Sequence, residues 1–340
     1  MKTKVQTMES LERLYSLFEA DLFAVKTLID TTLNRARNVS NDDLISHLLT
    51  LSGKQVRPIL TLLAYRLFLN ESQNELSSPE PLIQISSAIE LIHLASLVHD
   101  DVIDDGQYRR DQLSVNAKFG NARAVTVGVY LYSMSLELIA KTRQCDLLYS
   151  LSQAVKLMCE GELFQLDSRG EMTVSVEHYL NVVYSKTARL FMSSFECGAQ
   201  LAAVSQSQVV LLQKYGYYLG VLFQLTDDYL DVFGDQVALK KEKGQDFGQG
   251  QFTLPYLFLF EEVCPEEKNT LISDMKSNGE GAFLRSTQCM RDLGVEKRCE
   301  TFIHGYHRAA LSLLEPVSDS LYKQALLFLQ QFIVDRINAR

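Results

Sequence analysis

Proline is scarce in this chain of 340 residues, and its distribution is uneven. Only six prolines occur, and none lies between Leu82 and Leu254. Because proline inside a helix removes a hydrogen bond and clashes with the preceding turn, this long proline-free stretch favours helices. Alternating strand patterns are also lacking, whereas apolar residues recur every three or four positions, as between Leu11 and Ile29. The sequence therefore predicts an all-α fold.

Linkers, internal repeats and shifts in composition are lacking too. The chain is 46% apolar and 22% charged, which excludes disorder, collagen and small disulfide scaffolds. The longest irregular stretch, 234–251, is a candidate functional loop. The simplest prediction is one large helical domain that covers residues 1–340.

Paired cysteines, an excess of positive charge and long apolar runs are also absent. The six cysteines are scattered without a Cys-x-x-Cys pair, which favours a reducing compartment. The net charge of −9 should repel nucleic acid and anionic lipid. Since no run approaches the ~18 uncharged apolar residues that span a bilayer, we expect no transmembrane segment. We also expect no targeting segment, because no apolar core region follows the two lysines of Met1 to Glu9. We predict a cytoplasmic protein that does not bind nucleic acid.

One apolar segment, from Leu82 to Asp105, carries a regular stripe of polar residues. Their spacings of three and four residues place them on one helix face; they are Glu90, His93, Ser96, Asp100 and Asp104. The stripe ends in acids, in the order Asp100-Asp101-Val102-Ile103-Asp104-Asp105. Desolvation of such carboxylates costs on the order of several kcal/mol each unless a cation compensates. Because hard oxygen ligands suit magnesium, the segment predicts a Mg²⁺ site.

A second acidic cluster ends another apolar segment. It reads Phe223-Gln224-Leu225-Thr226-Asp227-Asp228-Tyr229-Leu230-Asp231. One such cluster could be a solvated helix end, but two copies at helix C-termini, where the dipole disfavours anions, need a better explanation. We predict that the two clusters face each other across a helical core and hold several magnesium ions around a diphosphate.

Basic residues near predicted loops would complete such a site. Gly53-Lys54-Gln55-Val56-Arg57-Pro58 places two cations on a turn, and Arg109-Arg110 follows the first acidic cluster. Lys186-Thr187, in a predicted helical segment, pairs a cation with a hydroxyl group. Each alone is more often a solvated surface charge. Their joint presence predicts diphosphate binding.

In combination and order, these motifs resemble the trans-isoprenyl diphosphate synthases, the polyprenyl synthetase family. The match runs from about Gly53 to Pro255. The resemblance implies an all-helical bundle of the isoprenoid synthase type with a central active-site cavity, and a homodimer. It also implies a magnesium-dependent prenyltransferase that joins isopentenyl diphosphate head to tail with an allylic diphosphate. In that reaction the allylic diphosphate ionises, the isopentenyl double bond attacks the carbocation, and a proton is lost.

The resemblance further implies a role for each matching residue. Isopentenyl diphosphate would be bound by Lys54, Arg57, His93 and Arg110. The allylic diphosphate would be held by Arg109, Lys186, Thr187 and Gln224. The magnesium ligands would be Asp100, Asp101, Asp104, Asp227, Asp228 and Asp231. The residues expected to be catalytic are Asp100, Asp101, Asp104, Arg109, Lys186 and Asp227.

Two small residues, Ala95 and Ser96, lie about one helical turn before Asp100. In the family, bulky aromatic residues there close the pocket under short products. The resemblance therefore implies a trans-polyprenyl diphosphate of long chain. The alternative is that the small side chains only permit close helix packing.

Four positions depart from the family pattern by losing positive charge or gaining negative charge near a phosphate site. Gln55, Gln245 and Gln251 stand where basic residues are usual, and Asp111 replaces a glycine. Each lost charge-assisted contact weakens diphosphate binding by ~1.5–3 kcal/mol. These departures motivate an alternative, a catalytically weakened paralogue that acts as a partner subunit of another synthase. A third hypothesis, a class I terpene cyclase, shares the first acidic cluster but is disfavoured by the second.

Overall fold

The computed structural model describes residues 8, 10–35, 42–51, 53–69, 78–168, 174–234 and 251–338, with the side chains of residues 42 and 274–280 left aside. Most of the candidate loop 234–251 therefore lies outside the described residues. The same holds for Gln245, one of the four departures from the family pattern.

The described residues are almost entirely helical, which confirms the all-α prediction. In chain order the helices are α1 (Leu11–Leu17), α2 (Glu19–Arg35), α3 (Asp42–Thr50), α4 (Val56–Arg66), α5 (Glu80–Ile103), α6 (Val115–Phe119), α7 (Asn121–Lys141), α8 (Cys145–Asp167), α9 (Val176–Val183), α10 (Arg189–Leu201), α11 (Gln206–Phe233), α12 (Leu254–Glu262), α13 (Pro265–Asp292), α14 (Val295–Leu314) and α15 (Leu321–Asp335). A π-helical segment, Tyr184–Ala188, joins α9 to α10.

One short antiparallel hairpin interrupts the helices. Its strands are β1 (Tyr108–Arg109) and β2 (Gln112–Leu113). Strands of two residues are too short to show an alternating pattern, so the sequence could not reveal them. The hairpin places Arg109 and Arg110 directly after the first acidic cluster.

The chain divides into two compact units. The first unit comprises Met1–Val155, Ser193–Gln213 and Ser320–Ala325. The second unit comprises Lys156–Met192, Lys214–Asp319 and Leu326–Arg340. All but one of their boundaries fall within helices. A single domain over residues 1–340 stays a prediction.

Helix α5 forms the core of the first unit. It packs along α7 and also against α2 and α4. Gly128 of α7 lies directly against the His99 ring, so that any side chain there would clash with it. This close approach packs α7 tightly against α5.

The apolar length of α5 bears on the expectation that the chain has no transmembrane segment. Among the described residues, Glu80–Ile103 is the one helix long and apolar enough to cross a bilayer. However, 72% of its most apolar stretch is buried within the protein, and core helices pass the same test. The helix is apolar because it packs against other helices.

Candidate active site

The first acidic cluster is tied to the hairpin that follows it. Asp101 is buried, and Arg109 donates to its Oδ1 atom from Nη2 at 2.5 Å and from Nε at 3.1 Å. Asn116 of α6 donates to the backbone oxygen of Asp101 at 3.0 Å. Asp100 and Asp104, at the end of α5, are partly exposed. The predicted ligands therefore lie where a buried helix meets solvent, with a guanidinium beside one of them.

Three residues predicted to bind isopentenyl diphosphate influence one another in the first unit. Burial, followed by the charges of Arg57 and Arg110, holds the pKa of His93 well below its usual value. His93 is therefore neutral at pH 7 and can donate a hydrogen bond from one ring nitrogen only. Burial lowers the pKa of Arg57 to about 10, which leaves it charged.

Two of the departures from the family pattern occupy strained backbone positions. Gln55, just before α4, has φ of 52°, and Asp111, in the hairpin, has φ of 62°. Both values lie in the left-handed region that favours glycine. The geometry explains why glycine is usual at the position of Asp111, and aspartate tolerates it better than most residues do.

The turn that carries Lys54 is held by a residue that the motifs did not reveal. Tyr15 of α1 donates its hydroxyl proton to the backbone oxygen of Lys54 at 2.5 Å. Lys54 itself is exposed. Because Tyr15 lies 39 positions before Lys54, no local spacing could have signalled the contact.

The second acidic cluster has its own protein partners. Asp228 is buried, and it accepts hydrogen bonds from the Tyr179 hydroxyl at 2.5 Å and from Gln224 Nε2 at 2.7 Å. Burial and the charges of Asp227 and Asp231 together raise the pKa of Asp228 to about 7, against the opposing effect of those hydrogen bonds. Asp227 pairs with Arg336 at 2.6 Å. Neither Tyr179 nor Arg336 was predicted.

Lys186 and Thr187 lie on the π-helical segment. Lys186 pairs with Glu162 of α8 and donates to Gln165 Oε1 at 2.6 Å. Thr187 donates to Gln224 Oε1 at 2.8 Å. The segment packs closely against α8. A Cβ atom added at Gly161 of α8 would lie only 2.6 Å from the Cβ atom of Ser185. Irregular turns of this kind occur frequently at functional sites.

The donor chemistry of the two clusters fits a divalent cation. All their predicted ligands are carboxylates, and like charges around buried Asp228 would be relieved by a cation. Among the residues that the structure describes, no three carboxylate, histidine or cysteine side chains converge on one point. Magnesium does not require such a group, because it usually binds one or two carboxylates together with water and substrate phosphates.

The structure distributes the predicted site residues over the two units. The first unit contains Lys54, Arg57, His93, Arg109, Arg110 and the first cluster, and the second contains Lys186, Thr187, Gln224 and the second cluster. Ala95 is fully buried, and Ser96 donates to the backbone oxygen of His93 at 2.8 Å. The facing arrangement of the two clusters, and each residue's role, stay predictions.

Several known proteins are similar to this chain. A family model described as polyprenyl synthetase matches residues 40–289. The chain is 31% identical to the octaprenyl diphosphate synthase of Escherichia coli (strain K12), over 96% of this chain and 99% of that protein. It is 36% identical to heptaprenyl diphosphate synthase component 2 of Geobacillus stearothermophilus, over 73% and 75% respectively. A similar fold is found in the crystal structure of polyprenyl synthase from Caulobacter crescentus CB15, complexed with calcium and isoprenyl diphosphate. The TM-score is 0.86 and the sequence identity is 30%, over 98% of this chain and 99% of that chain.

Proposed function

The chain belongs to the polyprenyl synthetase family and is a prenyltransferase, and we propose that it joins isopentenyl diphosphate to an allylic diphosphate. The observation that carries this proposal is the pair of intact acidic clusters. Each ends an apolar helix and each has an arginine on one of its aspartates. This is the chemistry of a site that separates a diphosphate from an apolar carbocation.

The proposed reaction assigns separate tasks to the basic residues. Arg109, Lys186 and Thr187 would hold the allylic diphosphate and stabilise the charge that grows on it as its C–O bond breaks. Arg57, His93 and Arg110 would bind the diphosphate of isopentenyl diphosphate, whose double bond attacks the carbocation. The departing diphosphate would accept the proton that is lost. Apolar residues of α5 and α11 would exclude water from the carbocation.

We propose that magnesium is the divalent cation of this site. When bound, it would neutralise charge on the leaving diphosphate. Asp100, Asp101 and Asp104 would supply ligands from α5, and Asp227, Asp228 and Asp231 would supply them from α11. The calcium complex of the Caulobacter crescentus relative supports a divalent cation in this family.

A long polyprenyl chain is the proposed product. The small side chains of Ala95 and Ser96 support it, as does the name of the octaprenyl diphosphate synthase of Escherichia coli. We also propose that the protein acts in the cytoplasm.

A homodimer is proposed from one exposed face of α7. Val125, Val129 and Leu136 are exposed by 46%, 54% and 48%. Their spacings of four and seven residues place them on one side of the helix. A second copy of the chain that packed against this face would remove it from water.

The second hypothesis is a partner subunit of another synthase. Gln55 and Asp111 favour it because they change the charge near a predicted diphosphate site. One relative, from Geobacillus stearothermophilus, is named as a component. Activity of the isolated protein separates this hypothesis from the first.

Release of diphosphate from the two substrates together tests the proposal. We expect release that needs a divalent cation, stops with EDTA and returns with magnesium. Asp101→Asn and Asp227→Asn should each lower turnover by about 10²–10³-fold. Asp146→Asn, at an exposed position of α8, is the matched control and should have no effect. Turnover that survives both cluster variants would contradict the proposed site.

A further inference from the structure

Glu90 is a buried acid in the part of the first unit predicted to bind an anion. It is 9% exposed and lies on α5, one turn before His93. A buried carboxylate is costly unless a cation balances it. A negative charge beside a diphosphate is also unfavourable, since like charges repel. Neither the motifs nor the proposed reaction gives this residue a task.

Glu90 shares a small cavity with residues of the predicted diphosphate site. The cavity of about 20 Å³ is lined by Gly53, Gln55, His93 and Arg110, and also by Lys26 and Asp30 of α2. This volume holds about one water molecule. The Arg110 guanidinium lies close against Gly53, where a Cβ atom would come within 2.6 Å of its Nη2 atom. The Nη1 atom of Arg110 donates to the backbone oxygen of Leu51.

Two arginines act on the Glu90 carboxyl group. Burial raises its pKa, and Arg57 and then Arg110 oppose that rise. Burial lowers the pKa of both arginines, Glu90 opposes that fall in each, and Arg110 adds to the fall for Arg57. The two cations therefore repel each other and are both attracted to Glu90. Burial raises the pKa of Tyr15, the residue that holds the Lys54 turn, and the charge of Glu90 raises it further.

We propose that Glu90 is a positioning residue. It is the counterion that balances the positive charges of Arg57 and Arg110 until the diphosphate group of a substrate binds and balances them instead. The carboxylate balances the charge of Arg110 beside the cavity and that of Arg57. A diphosphate bound by these two arginines supplies more negative charge than Glu90 does and is repelled by it. Glu90 thus stabilises the protein without substrate at some cost in diphosphate affinity. The assignment of the ligand rests on the proposed function, whereas the charge balance does not.

A double-mutant cycle in the absence of ligand tests the charge balance. Glu90→Gln should lower Tm by about 3–6 °C, because it leaves two neighbouring cations uncompensated. In a chain that already carries Arg110→Gln, the same change should lower Tm by less, because only Arg57 then loses its counterion. Glu90→Asp, which keeps the charge, should remain near the wild type. An equal loss of Tm in both backgrounds would overturn the proposal.

The double variant keeps the test decisive if Glu90→Gln alone does not fold. E90Q/R110Q removes one charge of each sign, so it should fold and melt cooperatively. A double variant that also fails to fold would contradict the charge balance.

The predicted cost in diphosphate affinity is tested by calorimetry. Binding of inorganic diphosphate and of isopentenyl diphosphate would be measured without a metal. Glu90→Gln should bind both about threefold or more tightly than the wild type, since a like charge has been removed. Glu196→Gln, at a half-buried glutamate that accepts from Ser150 at 2.7 Å, is the matched control. It should leave both affinities unchanged.

The binding outcomes separate the two proposals. Weaker binding by Glu90→Gln would show that the carboxylate orients the arginines for substrate, and would overturn the counterion role. If the wild type bound neither ligand while the double-mutant cycle showed coupling, the proposed substrate site would be wrong and the charge balance would stand.

Discussion

Each acidic cluster has one aspartate paired with an arginine. Arg109 pairs with Asp101 at 2.5 Å, and Arg336 pairs with Asp227 at 2.6 Å. Such pairs satisfy carboxylates that would otherwise repel their neighbours. They also mean that a divalent cation must compete with a guanidinium for the same oxygen atoms.

Removal of Arg336 should therefore tighten metal binding. Arg336→Gln frees Asp227 from a partly exposed pair worth ~0.2–1 kcal/mol, so the affinity for Mn²⁺ should rise by about two- to fivefold. Electron paramagnetic resonance of free Mn²⁺ measures this without turnover. Arg308→Gln, at an exposed position of α14, removes the same charge elsewhere. Weaker Mn²⁺ binding by Arg336→Gln alone would contradict the competition.

The neutral state of His93 predicts how stability depends on pH. In the folded protein the pKa of His93 lies well below 6.5, its value in an unfolded chain. At a pH between these two pKa values, the unfolded chain binds a proton that the folded protein does not. Stability therefore falls as pH falls below 6.5, by up to about 1.4 kcal/mol per pH unit. Between pH 7 and pH 5, urea unfolding of His93→Gln should lose less stability than the wild type does. An identical loss in both proteins would show that His93 does not contribute.

Close packing between the π-helical segment and α8 explains why residue 161 is a glycine. The segment carries Lys186, and α8 supplies its partners Glu162 and Gln165. The two elements lie too close for a side chain at Gly161. Packing at this point thus fixes the position of a residue predicted to bind the allylic diphosphate.

Two alanine substitutions in helices should have opposite effects. Gly161→Ala should cost about 1–3 kcal/mol through overpacking and should lower turnover, because Lys186 moves with the π-helical segment. Gly305→Ala in α14 meets open space and should stabilise the protein by about 0.5–1 kcal/mol. Thermal unfolding and turnover of both variants check this. Equal effects of the two substitutions would contradict the packing argument.

The sequence could predict the elements that local pattern determines. Asp101 and Asp228 were found because helical spacing places acids at the ends of apolar helices. Tyr179 and Arg336 were missed because they lie 49 and 109 positions from the aspartates that they contact. The π-helical turn at Lys186 was read as ordinary helix, because residue spacing does not distinguish the two.

The exposed apolar face of α7 is the proposed contact surface between two copies of the chain. If it is the dimer interface, Val129→Glu should weaken the dimer by about tenfold or more, equivalent to ~1.4 kcal/mol. Sedimentation at several protein concentrations measures this. Leu284→Glu, at a residue of α13 that is 60% exposed, is the control and should leave the assembly unchanged. A wild-type monomer at all concentrations would contradict the homodimer.

The mass of the products tests the account of the whole protein most directly. Purified protein would be incubated with magnesium, isopentenyl diphosphate and a set of short allylic diphosphates. We predict a ladder of polyprenyl diphosphates that ends in a long chain, and a shorter end product from Ser96→Phe if small residues on α5 leave room for the chain. A short product from the wild type would contradict only the argument about Ala95 and Ser96. No product, from a protein that binds both substrates, would contradict the synthase and favour the partner subunit.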